Sequence, residues 1–281
     1  MSTIKQSVPF TILKHALLVL ILLFLLFPIY WMLVTAFKTN MEAYLYPPTF
    51  IPNTWVGTAF VSLFKQNNQF FIYYGNNFIV SAWSALISCV VAIFTGYSIA
   101  RFHTKWNKLM TALLLSTQMF PIISRMISLY SLMGKMGIIN TRFGLVLAIV
   151  AAQIPFCSIL MSSFFANIPK EIEEAAYVDG AGRNTILFRI VTPLVTPGIL
   201  AVGIYAFLMT WDDYLHAATL IQSDNLRTLS IGIALRYLGE LSYDWSLINS
   251  ISVVGTIPMV LVFFFFQKYM VKGLVAGAVK G

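Results

Sequence analysis

Six stretches of this chain run apolar at roughly 16–37, 78–99, 109–131, 144–165, 198–221 and 249–267. A helix needs about 20 such residues to cross the hydrocarbon core of a bilayer. Backbone polar groups in lipid must be satisfied within the spanning element, which confines such a chain to helices. The expected fold is therefore an all-α integral membrane protein with six transmembrane helices. Composition agrees, with 59% hydrophobic and only 10% charged residues in 281, against roughly a quarter charged in a soluble domain. The first stretch exceeds a signal-peptide core, carries no small-residue cleavage site and continues into Tyr30-Trp31, so it is expected to remain as an anchor. No other segment has the length of a separate soluble domain.

Six spans bring both termini to one side of the membrane, and the excess of Lys and Arg marks the cytoplasmic one. Lys5, Lys14, Arg101, Lys105, Lys108, Lys170, Arg183, Arg189, Lys268, Lys272 and Lys280 fall on one face, eleven in all; Lys38, Lys65, Lys135, Arg142, Arg227 and Arg236, six in all, fall on the other. The N-terminal segment 1–15, the loop 167–197 and the tail 268–281 are thus expected in the cytoplasm. The formal charge of +8 is scattered over short loops rather than gathered in a basic stripe, so nucleic acid is not an expected partner. The outer loops hold Tyr44, Tyr46, Trp55, Tyr237, Tyr243 and Trp245. These aromatics fit either membrane-interface anchors or contacts for a docking protein.

Catalytic machinery is not evident. Gly134-Lys135 lacks the upstream glycine of a P-loop and is followed by Met136, and no Gly-x-Ser-x-Gly sequence occurs. Cys89 and Cys157 lie in apolar runs away from other metal-ligating types, which points to neither a disulfide framework nor a zinc site. No catalytic residue, metal or cofactor is expected in this chain. His216 follows Asp212 by four residues, a spacing that places both on one helical face and would suit a weak metal site or a proton relay.

Between the fourth and fifth apolar stretches lies a polar insert, 167–197. Pro169 suits a first helical turn, and Glu171, Glu173 and Glu174 put negative charge at the positive end of the helix dipole. Gly180 and Gly182 stop this helix. Ile172, Ala175, Ala176 and Asp179 recur at helical spacing and give one small-residue face open to close approach. A second helix is expected from about Asn184 to just before Pro193.

Within the spans, Arg125 and the segment Trp211-Asp212-Asp213-Tyr214 stand out. A charge at mid-bilayer costs about 2.5 to 3.5 kcal/mol on insertion scales, so these residues should face a partner, a cavity or water. At about 1.5 Å per residue, Arg125 lies roughly 9 Å and Asp213 roughly 12 Å below the outer ends of their spans. The expectation is that Arg125 pairs with Asp213 or Asp212, with Trp211 and Tyr214 nearby as aromatic stacking surfaces. A purely structural ion pair between two helices fits the same depths.

The insert resembles the EAA loop of permease subunits in bacterial binding-protein-dependent ABC importers: Glu174-Ala175-Ala176, Gly180 after three residues, then Ile190 and Pro193, with Thr192 in place of the usual Leu. Gly96-Tyr97-Ser98-Ile99-Ala100-Arg101-Phe102, Gln118-Met119-Phe120-Pro121 and the closing Lys272–Gly281 segment are similar to the carbohydrate branch. So is Trp211-Asp212-Asp213-Tyr214-Leu215, with Asp212 where that branch has Asn. The likeness extends from the first span onward and is nearest to the maltose-permease G-type subunit. It implies a protein of the bacterial cytoplasmic (inner) membrane that works with a second homologous permease, two cytoplasmic ATPase subunits carrying ATP and Mg, and an extracytoplasmic solute-binding protein. It also implies that Glu174, Ala175, Ala176, Asp179, Gly180 and Pro193 form the contact that couples ATP hydrolysis to import of a mono- or oligosaccharide, with Arg125 leaving an anionic sugar open. The competing reading is a proton-coupled secondary transporter using Asp212, Asp213 and His216.

Overall fold

The computed structural model describes residues 8–66, 68–237 and 243–278; of the expected cytoplasmic ends, 1–7 and 279–281 lie outside the described residues. Among the described residues every regular element is helical. In chain order these are α1 (Val8–Ala36), α2 (Asn40–Ala43), α3 (Thr58–Gln66), α4 (Asn68–Arg101), α5 (Lys105–Ser116), α6 (Ile122–Lys135), α7 (Arg142–Ala166) and α8 (Lys170–Val178). They continue as α9 (Arg183–Thr185), α10 (Thr192–Leu194), α11 (Thr196–Trp211), α12 (Leu215–Leu220), α13 (Leu229–Tyr237) and α14 (Trp245–Ala278). A π-helical turn, Ile186–Val191, joins α9 to α10.

Among the described residues four helices, α1, α4, α7 and α14, are long and apolar enough to cross a membrane, and the number rises to as many as six if each of two bent pairs is one span. The first bent pair falls in the third expected span, and the second joins the end of the insert to the start of the fifth, with its break at Val195. Lys105–Met119 and Ile122–Lys135 meet at 107°, and Arg183–Leu194 and Thr196–Trp211 at 77°. A straight third span over 109–131 is therefore not what forms. Pro121 has no N–H to continue the helix and pushes Phe120 into extended backbone, at φ −79° and ψ 132°, so α6 starts afresh on a new axis. The expected fifth span, 198–221, is likewise cut: α11 ends at Trp211, and α12 starts after Asp213 has turned its carboxylate onto the N–H of Ala217 at 3.2 Å.

The chain forms two compact units, one from its start to Phe70 together with Arg236–Thr256, the other from Phe71–Leu235 and the chain from Ile257. In the first, α1 leaves its apolar side chains almost wholly uncovered, Phe24 being 77% exposed, as expected of a helix solvated by lipid. Its C-terminal end is covered by the following loop, where Tyr30 donates to the Phe50 carbonyl at 2.7 Å and Trp31 meets Phe50 edge-on at 5.7 Å.

In the second unit α7 is the most buried long helix and packs beside α4 and α11. Close approach of α11 to α7 depends on Gly198, where a Cβ would lie 2.4 Å from the Phe164 ring. Polar groups inside the bundle pair across helices: Gln153 donates to Thr210 Oγ1 at 3.0 Å, Thr95 and Ser158 share a 2.6 Å hydroxyl contact, and Asn77 donates to the Trp211 carbonyl at 3.1 Å. Such bonds matter where lipid offers no alternative partner. At one end of this unit Asn140, with φ 58°, accepts the N–H groups of Gln222 and Ser223 and donates its own N–H to the Leu220 carbonyl, binding two loops together.

Candidate functional site

The polar insert folds as a helix, a glycine turn and a second helical segment. Helix α8 starts after Pro169 with Glu171 and Glu173 in its first turn, where their charge opposes the helix dipole. It ends in a Schellman arrangement: the N–H of Ala181 reaches the carbonyl of Ala176 at 3.0 Å, and the N–H of Gly180 that of Tyr177 at 3.1 Å. This geometry places Gly180 at φ 81°, a conformation that favours a residue without Cβ. The second segment runs from Arg183 to Leu194, slightly longer than the expected 184–192. Pro193 lies inside it and has no N–H to donate, and its own carbonyl is taken by the Thr196 hydroxyl at 2.7 Å as the chain bends into α11.

The helix is fastened at one residue. Glu173 Oε1 accepts from Arg101 Nε at 2.5 Å and its Oε2 from the Tyr97 hydroxyl at 2.7 Å, while Arg101 Nη2 also donates to the Ile168 carbonyl at 2.9 Å. The ion pair is largely buried, with side chains 7% and 14% exposed. It joins α8 to the last turn of α4, where the helix dipole favours a cation. Ala176 packs inward on the apolar cluster that includes Phe165, Ile186 and Val191. Glu174, Ala175, Tyr177, Val178 and Asp179 face outward, with Tyr177 68% and Val178 86% exposed. The small-residue face expected from Ile172, Ala175, Ala176 and Asp179 is thus divided: Ala176 belongs to the protein's own core, and two larger apolar side chains, Tyr177 and Val178, occupy the open surface. Glu173 was missed as an anchor because its partner lies 72 positions away; its charge had been read only as dipole compensation.

The membrane-embedded residues are arranged differently from expectation. Asp213 Oδ2 lies 2.7 Å from Nδ1 of His216, and among the described residues no ion pair joins Arg125 to Asp212 or Asp213. Equal depth did not bring them together because each helix breaks, at Pro121 and after Trp211, so neither charge keeps the direction a straight span would have given it. Arg125 sits in the first turn of α6, with its Nε buried and unpartnered. The Asp212–His216 spacing is likewise not used; the contact is from Asp213, three residues before the ring. Trp211 is 4% exposed, stacked on Phe207 at 5.6 Å and edge-on to Tyr74 at 5.5 Å, and so offers no open ring face. Asp212 and Tyr214 are exposed.

A family profile described as the binding-protein-dependent transport system inner membrane component matches residues 88–275, which spans both the glycine-turned insert and the bent helix pairs. The chain belongs to that family. Members are multi-pass inner-membrane permeases, and the fold agrees: a crystal structure of a bacterial ABC transporter involved in import of the acidic polysaccharide alginate superposes with a TM-score of 0.83 at 21% identity, over 95% of this chain and 99% of that one. Among curated permeases of this kind, the sulfoquinovosyl glycerol transport system permease protein SmoH of Agrobacterium fabrum is 33% identical over 91% of this chain and 89% of its own. The trehalose/maltose transport system permease protein MalG of Thermococcus litoralis is 30% identical over 96% and 98%. Permeases of this family are not themselves enzymes.

Proposed function

We propose that this chain is the transmembrane subunit of an ATP-driven carbohydrate importer and that it receives the ATPase stroke through the loop 167–197. The observation that carries the coupling role is the way α8 is held: Glu173 locks its inner side to Arg101 and Tyr97, while Glu174, Ala175, Tyr177 and Val178 stand outward on the same short helix. A firmly fastened helix transmits displacement, whereas a loose loop dissipates it. Gly180 sets the turn behind it, and Pro193 sets the bend into α11. The partners in this reading are a second homologous permease, two cytoplasmic ATPase subunits that hold ATP and Mg, and an extracytoplasmic solute-binding protein. Both termini and the loop then lie in the cytoplasm.

The carbohydrate assignment is supported by relatives named for sulfoquinovosyl glycerol and for trehalose and maltose. The buried Nε of Arg125, without a partner among the described residues, is a group in the second unit suited to an anionic substituent on the solute; Asp212 and Tyr214, beside Asp213 in sequence, are exposed. Arg125→Ala is expected to lower uptake of an anionic sugar by about tenfold or more, the low end for losing a hydrogen bond to a charged group, without reducing assembly. The deciding experiment is extraction of the tagged chain from its native membrane in mild detergent and measurement of what copurifies. One related permease and two copies of an ATPase support the proposal. The chain alone or as a homodimer, even after crosslinking at Glu174, would replace it with a proton-coupled carrier in which Asp213 and His216 form the relay.

A further inference from the structure

At the C-terminal end of α1 the first compact unit encloses a cavity of about 340 Å³ whose lining includes Trp31, Thr35, Lys38, Glu42, Trp245 and Asn249. None of these residues belongs to the coupling loop or to the group around Arg125 and Asp213. The wall combines two indole rings with two charges of opposite sign, and both charged side chains are buried, Lys38 at 2% and Glu42 at 6% exposure. Buried charges are unfavourable unless paired and hydrogen-bonded, yet among the described residues no ion pair joins these two. Lys38 instead donates to the Thr49 carbonyl and sits 4.7 Å from the centroid of the Trp31 ring. Glu42 accepts on Oε1 from the Thr49 hydroxyl at 2.9 Å and from the Asn53 N–H at 2.8 Å. Thr35 Oγ1 is buried with no hydrogen-bond partner among the described residues. The surroundings are pinned by the Trp245 N–H on Asn40 Oδ1 at 3.0 Å and by the Tyr44 hydroxyl, which donates to the Tyr243 carbonyl at 2.8 Å.

We propose that this cavity is a binding site for one uncharged ring of the solute, a proposal that rests on the carbohydrate reading above and leaves any anionic substituent of that solute to Arg125. An ammonium with N–H donors to spare, a carboxylate and an orphan hydroxyl on one wall can serve adjacent sugar hydroxyls, which both donate and accept. The apolar C–H face of a pyranose stacks against an indole, as amphipathic aromatics allow. The opposite charges cancel, so a carboxylate on the sugar gains at Lys38 what it loses at Glu42. The volume lies at the low end of the roughly 300–1,000 Å³ of ligand pockets and has room for one ring. In the topology proposed above the cavity lies on the extracytoplasmic side, where a solute arrives before it passes through the membrane.

The test uses the full-length chain with its copurifying partners in lipid nanodiscs, titrated with glucose, galactose, mannose and glucuronate while tryptophan fluorescence and saturation-transfer NMR are followed. The expected result is saturable binding of a neutral hexose in preference to glucuronate. Glu42→Gln and Trp245→Ala should each weaken it at least about tenfold, and Trp245→Phe, which keeps an aromatic face, should retain most of it. If Glu42→Gln does not assemble, the comparison of Trp245→Ala with Trp245→Phe, which leaves the buried charges in place, decides alone. Absence of saturable binding by all three hexoses, equal binding of glucuronate, or affinity unchanged in Trp245→Ala would overturn the site. ATP-driven sugar uptake that persists without hexose binding here removes the site and keeps the importer reading; hexose binding without any copurifying ATPase does the reverse.

Discussion

Removal of the charge on Glu173 by Glu173→Gln keeps the side chain's shape but leaves the buried Arg101 guanidinium without a counter-charge, facing only a neutral amide oxygen and the Ile168 carbonyl. Loss of one member of a buried ion pair is unfavourable by about 3–5 kcal/mol. Both side chains here retain slight exposure, 7% and 14%, which favours the lower figure, about 3 kcal/mol. If that energy holds α8 against α4, its loss raises the population of the undocked helix by roughly 100-fold, at about 1.4 kcal/mol per decade. Hydrogen exchange of the α8 amides reads this population directly, because local opening limits exchange. The reconstituted complex should lose solute-stimulated ATPase activity in parallel, with the chain still inserted. The double variant Glu173→Gln/Arg101→Met should recover part of the protection, since no charge is then left without its counterpart. Exchange of the α8 amides unchanged in Glu173→Gln, or a double variant that simply adds the two single effects, would refute the claim that this ion pair fastens the coupling helix.

Two further predictions concern backbone geometry. Gly180→Val should weaken ATPase attachment through backbone strain alone, of about 1–2 kcal/mol, because nothing lies within 4 Å of the position its Cβ would take; Gly180→Asn should be milder, and unchanged transport in Gly180→Val would remove the turn from the coupling argument. Gly198→Ala should destabilise the contact of α11 with α7, because its Cβ would meet the Phe164 ring at 2.4 Å; Phe164→Ala in the same chain should restore detergent stability, and failure of that rescue would place the defect elsewhere.

Apolar length carried the helical class, and the glycine turn of the insert was readable because Gly180 and the residues before it act locally. The breaks at Pro121 and after Trp211 were also written in local chemistry, a missing N–H in one case and a capping carboxylate in the other. Long apolar runs on either side concealed them, since hydropathy does not register direction. The pairing of Glu173 with Arg101 could not be read in this way. It depends on how α4 and the loop approach each other, which no spacing encodes. Arg125 and Asp213 show the converse: depth was computable from the sequence, but the side of the helix each charge occupies was set by the two breaks. The cavity beside Trp31 is not legible in the sequence, where Lys38 is one of six cations of the outer loops and Glu42 carries no mark of its own; only their burial distinguishes them.

The π-helical turn Ile186–Val191 has a consequence for the length of the chain. Ile186, Leu187 and Val191 are all buried, yet with about 100° per residue in an α-helix, Val191 would stand roughly 140° around the axis from Ile186. The wider i→i+5 winding brings them to one side. The segment therefore holds one residue more than an α-helical turn needs, and a deletion of one residue there would return it to ordinary winding with Val191 about 40° from Ile186, leaving Pro193 and everything downstream facing nearly as before. Chain length between the coupling helix and α11 is in this way uncoupled from rotation by one residue: the wide turn takes up the extra position, and the bend enters the bundle at nearly the same angle with or without it.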